Sequence, residues 1–245
     1  MLIMITNWIK QSDNKILLLV LLLFFLKIFS LITGGQEFSR YTEPWVLIAI
    51  LGLFMYKYPK ISILLKGFIL FALAGNLFGL FRFEVEGIQL ETIAYCLGYL
   101  CLLYEAVFKI KKVKINYIVG LYLIFVFAIN AYFIYVLYEI FKEVVLNNLE
   151  LSLIVVRLVS LLLFALFSFT LYLSSETKQS ILLLIMSISL IFSDVLFLID
   201  EYYLYFWIFD FLSKSLYLVT IYCLYLYISG FYKNKTTLNL KEVVS

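Results

Sequence analysis

Long apolar runs alternate with short polar stretches along the whole chain. A transmembrane helix needs about 20 predominantly apolar residues. Glycine and proline breakers lie between the early runs, at Gly34, Gly35, Pro44 and Pro59. We therefore predict an all-α, polytopic transmembrane helix bundle of about eight spans, forming a single integral-membrane domain over residues 1–245. The predicted spans, of which the second is the shortest, are 16–33, 45–57, 62–82, 90–109, 115–137, 150–173, 180–199 and 205–231.

Composition supports a membrane protein. Hydrophobic residues make up 65% of the chain and charged residues 14%, with a mean hydropathy of +1.06. Soluble domains contain roughly 25% charged residues. Lysines precede the first run, as they do in a signal peptide, but its length and the lack of a clear small-x-small cleavage site favour a retained helix.

The residue inventory excludes several kinds of chemistry. The chain has no histidine, so Ser/His/Asp catalysis and histidine-metal hydrolysis are excluded and carboxylates must carry any acid-base work. Its three cysteines show no metal-ligand spacing, and no phosphate loop, nucleophile elbow or dinucleotide motif occurs. We therefore expect no cofactor and no metal. A net charge of +3 is too small to indicate nucleic acid as a partner.

Basic residues are distributed unevenly between the two sides of the predicted bundle. The side holding the N-terminus carries 13 of the 19 lysines and arginines, the opposite loops carry Arg40, Arg82 and Lys142, and the remaining three lie within spans. The positive-inside rule then places both termini on the cytoplasmic side. We expect the protein to lie in the cell (inner) membrane. An even number of spans is required for that, which favours eight over seven.

Polar residues within the spans converge on one layer. Estimated depths, at about 1.5 Å per residue, place most of them toward the non-cytoplasmic side and only Glu105 in the inner half. We expect a polar cavity that opens on the non-cytoplasmic side, although Lys27 and Lys214 taken singly also fit snorkelling to headgroups. The residues of this layer are Lys27, Glu43, Asn76, Asn130, Arg157, Asp194, Asp210 and Lys214.

Asp194 interrupts the apolar run 181–200 with a carboxylate. A charge at bilayer depth costs roughly 2.5–3.5 kcal/mol on insertion scales and by default marks a functional site. Arg157, on the preceding antiparallel span, is its expected partner in a buried pair, whether structural or directed at substrate. Most tyrosines fit an interfacial belt. The deeper ones can donate hydrogen bonds into the layer or simply pack; they are Tyr95, Tyr99, Tyr222 and Tyr225.

A weak internal repeat relates the two halves of the chain. Residues 72–80 and 190–198 both contain an apolar run, a small residue, an amide or carboxylate, and further apolar residues. This pattern indicates two four-helix repeats in which Asn76 and Asp194 face each other across a pseudo-axis. Chance similarity between hydrophobic helices is the alternative.

Three short motifs, at Thr42-Glu43-Pro44, Gly75-Asn76 and Ser193-Asp194, are followed by Thr220-Ile221-Tyr222. In order and spacing over about residues 40–230, the chain resembles the lysoplasmalogenase (YhhN-like) family of eight-helix membrane proteins. The signatures of that family are Thr-Lys-Pro, Gly-Asp and Ser-Asp, with a Thr-Tyr-Tyr-like run in the last helix. Ser193 and Asp194 match directly, whereas Asn76 and Glu43 occupy motif positions with changed chemistry.

The resemblance implies a membrane hydrolase in lipid metabolism. Its substrate would be a lysoplasmalogen-type lipid, whose vinyl-ether bond is cleaved to a fatty aldehyde and a glycerophospho-alcohol with paired carboxylates as catalytic groups. Asp194, Asn76 and Glu43 are then the candidate catalytic positions, and Asp194 needs a second acid from Glu43 or Asp210 because an amide cannot ionise. The candidate substrate-binding residues are Ser193, Arg157, Lys27, Lys214, Asp210 and Tyr222.

Two other interpretations remain open. The same cavity suits a non-catalytic binding or transport protein for an amphiphile or small solute. Alternatively, Arg157 and Asp194 form an ion pair that only holds helices together.

Overall fold

The computed structural model describes a helical protein in two units, Met1–Lys57 and Tyr58–Ser245. The described residues are 48, 52, 54, 55, 57, 58, 61–81, 85–110, 117–145, 147–175, 177–204 and 206–244, with no side chains described at 85, 118, 119 and 231–244. No strand occurs in these ranges. The all-α prediction is confirmed for them.

Six α-helices belong to the second unit, and a 3₁₀ turn, Gly79–Phe81, follows the first of them. The helices are α1 (Ile63–Phe78), α2 (Val85–Ile110), α3 (Tyr117–Val144), α4 (Asn148–Ser175), α5 (Lys178–Tyr202) and α6 (Trp207–Val244).

All six helices contain a stretch long and apolar enough to cross a membrane. These stretches, of 19 to 28 residues, overlap the last six of the predicted spans, with bounds that differ by up to seven residues. The first two predicted spans, 16–33 and 45–57, lie outside the described residues except for Ile48, Gly52, Phe54, Met55 and Lys57. The total of eight spans and the single domain therefore stay predictions.

Side-chain caps fix where two of the helices begin. Ser62 precedes α1, and its hydroxyl accepts a hydrogen bond from the Leu65 amide at 3.3 Å. Thr177 and Ser180 form a reciprocal capping box at the start of α5. Such caps bind backbone amides that have no partner within the helix. An amide without a hydrogen-bond partner costs several kcal/mol in lipid, so such caps stabilise helix ends there.

The helices of the second unit pack in a defined order. The principal neighbours are α1 with α2, α2 with α4, α4 with α5, and α5 with α6, while α3 packs chiefly on α4. Only 11% of the most apolar stretch of α3 is buried, and its exposed side chains are mainly aliphatic and aromatic. A helix that is apolar all round suits a lipid environment. We therefore assign most of the α3 surface to contact with lipid.

A hydrophobic cluster joins α3, α4 and α5 where α3 ends and α4 begins. Beside this cluster, the Tyr202 hydroxyl at the end of α5 donates to Glu150 Oε1 at 2.6 Å. The bond satisfies a carboxylate that is buried near the start of α4. The buried members of the cluster are Leu137, Phe141, Val145, Leu151, Ile154, Leu158 and Leu198.

Candidate functional site

Arg157 and Asp194 form a buried ion pair between α4 and α5. Only two residues separate these helices, so they run antiparallel; Arg157 lies 18 residues before the end of α4 and Asp194 lies 16 residues after the start of α5. Similar distances from the turn bring the two side chains to nearly the same level. Arg157 Nε donates to Asp194 Oδ2 at 2.6 Å, and Nη2 donates to Oδ1 at 2.8 Å. The predicted buried pair is confirmed.

Tyr99 of α2 completes the hydrogen bonding of the carboxylate. Its hydroxyl donates to Asp194 Oδ1 at 2.8 Å, as the sequence allowed for the deeper tyrosines. Both carboxylate oxygens are thus engaged, and Asp194 is only 4% exposed. The bidentate guanidinium and the hydroxyl therefore hold the buried carboxylate in one orientation.

Aromatic rings enclose the guanidinium of Arg157. The guanidinium carbon lies 4.7 Å from the ring centroid of Tyr95, 5.5 Å from that of Phe197 and 5.9 Å from that of Tyr99. Tyr95 and Tyr99 are stacked one helical turn apart on α2, with centroids at 6.1 Å. Cation–π attraction strengthens in a desolvated site. The rings therefore hold Arg157 in place against Asp194.

Asn76 of α1 joins the same group of side chains through tyrosines. Its amide nitrogen donates to the Ala72 carbonyl at 2.7 Å and to the Tyr217 hydroxyl of α6 at 3.4 Å. Tyr217 in turn interacts with Tyr95 and lies within the electrostatic field of the ion pair. The two polar positions of the apparent repeat thus belong to one connected set. We call it the polar cluster: Asn76, Tyr95, Tyr99, Arg157, Asp194 and Tyr217.

Gly75 permits the close approach of α1 to this cluster. A Cβ atom at Gly75 would lie 3.0 Å from the Tyr95 ring, which cannot easily retreat because it is stacked on Tyr99 and faces Arg157. We expect Gly75→Ala to lower the free energy of unfolding by about 1–3 kcal/mol through overpacking. Thermal or denaturant unfolding of the purified protein in detergent measures the change.

Gly120→Ala on α3 is the matched control, since no atom lies within 4 Å of the Cβ position there. This substitution should be neutral or stabilise by up to about 1 kcal/mol, because alanine is the better helix former. Equal effects of the two substitutions would contradict a tight contact between Gly75 and Tyr95.

Ser193, the neighbour of Asp194, bonds α5 to α6. Its hydroxyl donates to the Ser213 carbonyl and the Ser213 hydroxyl donates to the Ser193 carbonyl, both at 2.8 Å. Small residues with interhelical hydrogen bonds are typical of close helix contacts in membranes. This geometry gives Ser193 a role in packing beside its predicted role in substrate binding.

The other predicted binding residues have separate surroundings. Asp210 and Lys214 form an ion pair of 2.9 Å on successive turns of α6, and both side chains are partly exposed. Tyr222 is partly buried on α6, more than one turn beyond Tyr217. Glu43 and Lys27 lie outside the described residues, so their predicted roles stay predictions.

Two polar residues of the spans lie apart from the polar cluster. The amide nitrogen of Asn130 donates to the Val126 carbonyl of its own helix at 2.8 Å, and Asn130 lines an apolar groove between α3, α4 and α5. Glu105 lies about 15 Å further along α2 than Tyr95, by helical rise. There it accepts a hydrogen bond from Ser62 at 2.9 Å and pairs with Lys109, which also contacts Tyr227.

Glu91 is a buried carboxylate that the sequence analysis missed. It is 4% exposed. It lies six residues after the start of α2 at Val85, whereas it was only the second residue of the predicted span, which began at 90. Glu91 and Arg157 are close enough to interact electrostatically. The signal available in the sequence was its spacing of four from Tyr95 and eight from Tyr99, which places all three on one helix face.

The cluster can orient a carboxylate and offers several tyrosine hydroxyls as hydrogen-bond donors. A carboxylate can stabilise a cation that develops in a transition state. No group of three or more Cys, Asp or Glu side chains suited to a metal ion occurs within the described ranges. Comparisons with protein-family models, with curated proteins and with solved structures give no significant match to this chain.

Proposed function

We propose that this protein is a membrane hydrolase that cleaves the vinyl-ether bond of lysoplasmalogen-type lipids. One observation carries the proposal: Asn76 and Asp194, two of the motif positions of the resemblance, belong to one polar cluster, linked through tyrosines, although 118 residues separate them. A site built from two motifs requires that they meet. The resemblance suggests the reaction, and the polar cluster supplies the side chains to which we assign it.

Vinyl-ether hydrolysis proceeds through a cation. An acid protonates the enol carbon, the resulting oxocarbenium ion is stabilised, and water adds to give a hemiacetal that collapses to aldehyde and alcohol. Asp194 suits the second of these steps, because Arg157 and Tyr99 hold its carboxylate in one orientation in a buried site. We therefore assign Asp194 to stabilising the cation and orienting water, which leaves the proton donor to another group.

Arg157 acts in this scheme as a positioning residue. Its Nε and Nη2 atoms both donate to Asp194, and aromatic rings pack against its guanidinium. The neutral Tyr99 hydroxyl is the easier partner of Asp194 to displace when substrate or water approaches the carboxylate. Asn76 orients water or a headgroup through its amide.

The membrane arrangement is part of the proposal. Eight spans in two four-helix repeats, with both termini in the cytoplasm of a cell membrane, place the polar cluster toward the non-cytoplasmic side. The six apolar helices and the linkage of Asn76 to the Asp194 cluster support this arrangement. A lysolipid can then reach the site within the outer leaflet.

Aldehyde release tests the function. The purified protein, in detergent or nanodiscs, is incubated with a lysoplasmenyl lipid beside a confirmed member of the lysoplasmalogenase family. We expect one fatty aldehyde per lipid consumed, and no release from a saturated alkyl-ether lysolipid. Absence of aldehyde while the family member is active would refute the proposed function.

A second candidate is a non-catalytic protein that binds or transports an amphiphile. Specific observations favour it: both oxygens of Asp194 are engaged and position 76 carries an amide. Binding of a fluorescent lysolipid that survives Asp194→Asn, together with no turnover by the wild type, would support this candidate. Binding that requires no residue of the polar cluster would refute both candidates.

A further inference from the structure

An apolar groove runs between α3, α4 and α5. Nine side chains line it, and all of them except Asn130 are hydrophobic. One of the nine, Phe133, is also 49% exposed on the surface of α3 that we assign to lipid. The groove is therefore continuous with the lipid-facing surface, so a hydrocarbon chain can enter it sideways from the bilayer.

The groove adjoins the ion pair of the polar cluster. Leu161, in the lining of the groove, lies four residues after Arg157 on α4. Ile191, also in the lining, lies three residues before Asp194 on α5. Residues three or four apart are neighbours on a helix surface. The two helices that carry the ion pair thus also carry, beside it, two walls of the groove.

Helix geometry gives the direction of the groove. Three residues join α3 to α4, so these packed helices run antiparallel. Asn130 lies 14 residues before the end of α3 and Leu162 lies 14 residues after the start of α4, which places both about 7.5 Å deeper than Arg157. Leu137, seven residues before the end of α3, lies within about 3 Å of the level of Arg157. The groove therefore extends from the level of the ion pair toward the middle of the helices.

This direction matches the hydrocarbon chain of a lysolipid. In the proposed arrangement the headgroup lies at the non-cytoplasmic ends of these helices and the vinyl-ether bond lies at the polar cluster. The chain then continues from that bond toward the middle of the bilayer, along the course of the groove. A peptide or a polar solute would place polar groups without partners against an apolar lining, which is costly.

We propose that the groove between α3, α4 and α5 binds the hydrocarbon chain of the lysolipid and so aligns its vinyl-ether bond with the polar cluster; the identity of the substrate rests on the proposed function. Lipid tails are as apolar as leucine, so contacts of the chain alone add little affinity beyond that of the bilayer. The contribution of the groove is to position the reacting bond, because a misplacement of about 1 Å costs up to about 100-fold in rate.

Photolabelling of the wild-type protein in nanodiscs tests the site. The probe is an alkyl-ether lysophosphocholine with a diazirine on its chain and no vinyl-ether bond. We expect the label at Ile134 and Leu162, which line the groove, to saturate and to be displaced by the unlabelled alkyl-ether lipid. Ile129, 53% exposed on the same helix as Ile134, is the control, and its label should increase in proportion to the probe.

Two labelling results would overturn the proposal. Label in the groove that increases without saturation, as at Ile129, would show general contact with the bilayer only. No label in the groove, with a dimer that Ile134→Trp dissociates, would assign the groove to a second copy of this chain, and no label without such a dimer would leave the chain of the lipid elsewhere.

Ile134→Trp fills the groove, and Ile129→Trp is the matched control on α3. We expect kcat/KM for lysoplasmenyl phosphocholine to fall by at least about 10-fold in Ile134→Trp, because a displaced chain misplaces the reacting bond. The control, as an exposed substitution, should remain within about twofold of the wild type. A wild-type kcat/KM in folded Ile134→Trp would overturn the role of the groove, and if this variant does not fold, the labelling of the wild type decides. A wild type that labels the groove saturably but releases no aldehyde would overturn the proposed function and leave the groove as a chain-binding site.

Discussion

Replacing Asp194 by alanine lowers the free energy of unfolding by about 3–5 kcal/mol, because it leaves the guanidinium of Arg157 buried without its partner. Arg157 is 3% exposed and donates two hydrogen bonds to Asp194, so water cannot easily replace this partner. Unfolding by denaturant or heat in detergent, followed by circular dichroism, measures the loss. Arg157→Ala should be of similar size.

An apolar replacement of the whole group separates the ion pair from the packing. Replacing buried charges by hydrophobic residues of similar volume is often neutral or stabilising. Arg157→Met with Asp194→Leu should therefore recover most of the loss. Adding Tyr99→Phe should recover more, because it removes a buried hydroxyl that has lost its acceptor, Asp194.

The partly exposed pair of Asp210 and Lys214 provides the control for this comparison. Removing one partner of such a pair on successive helical turns should cost only about 0.3–0.5 kcal/mol. Single substitutions in the buried pair that cost as little as this would contradict its burial. If the combined apolar variant were as unstable as the single variants, a buried charge without its partner could not be the cause of their instability.

The helices and the central ion pair were accessible from the sequence. Apolar runs define the spans. Arg157 and Asp194 lie at similar distances from a short turn, which places them at nearly the same level of two antiparallel helices. The pairing of Asp210 with Lys214 was also readable, since residues four apart on a helix are neighbours. The sequence analysis instead assigned both to substrate binding, a role that stays a prediction.

Helix boundaries and side-chain direction were not accessible in the same way. Glu91 is the second residue of the predicted span 90–109 and so was placed at its edge, whereas α2 begins at Val85 and carries Glu91 further from its start. Asn130 has the depth of the polar layer but faces an apolar groove, because α3 packs chiefly on α4 through its aliphatic side chains. The depth of a residue follows from its position along the helix, whereas the direction of its side chain relative to the neighbours depends on which helices pack against each other.

Stability and activity respond differently to the apolar replacement if Asp194 takes part in the reaction. The variant with Tyr99→Phe, Arg157→Met and Asp194→Leu should fold and yet lose about 10²–10³-fold or more in aldehyde release. Removing one electrostatic stabiliser of a transition state has an effect of that size. The measurement is initial aldehyde formation from lysoplasmenyl lipid, made on protein whose unfolding transition has been confirmed.

Tyr99→Phe alone is the control for this last prediction, since it removes one hydrogen bond to Asp194 and keeps the bidentate contact with Arg157. It should retain much of the activity, because Arg157 still holds the carboxylate of Asp194 and one hydrogen-bonding position on Oδ1 becomes available to water. A folded apolar variant that hydrolyses lipid at the wild-type rate would show that the ion pair only holds α4 and α5 together. The reaction would then have to proceed without Asp194.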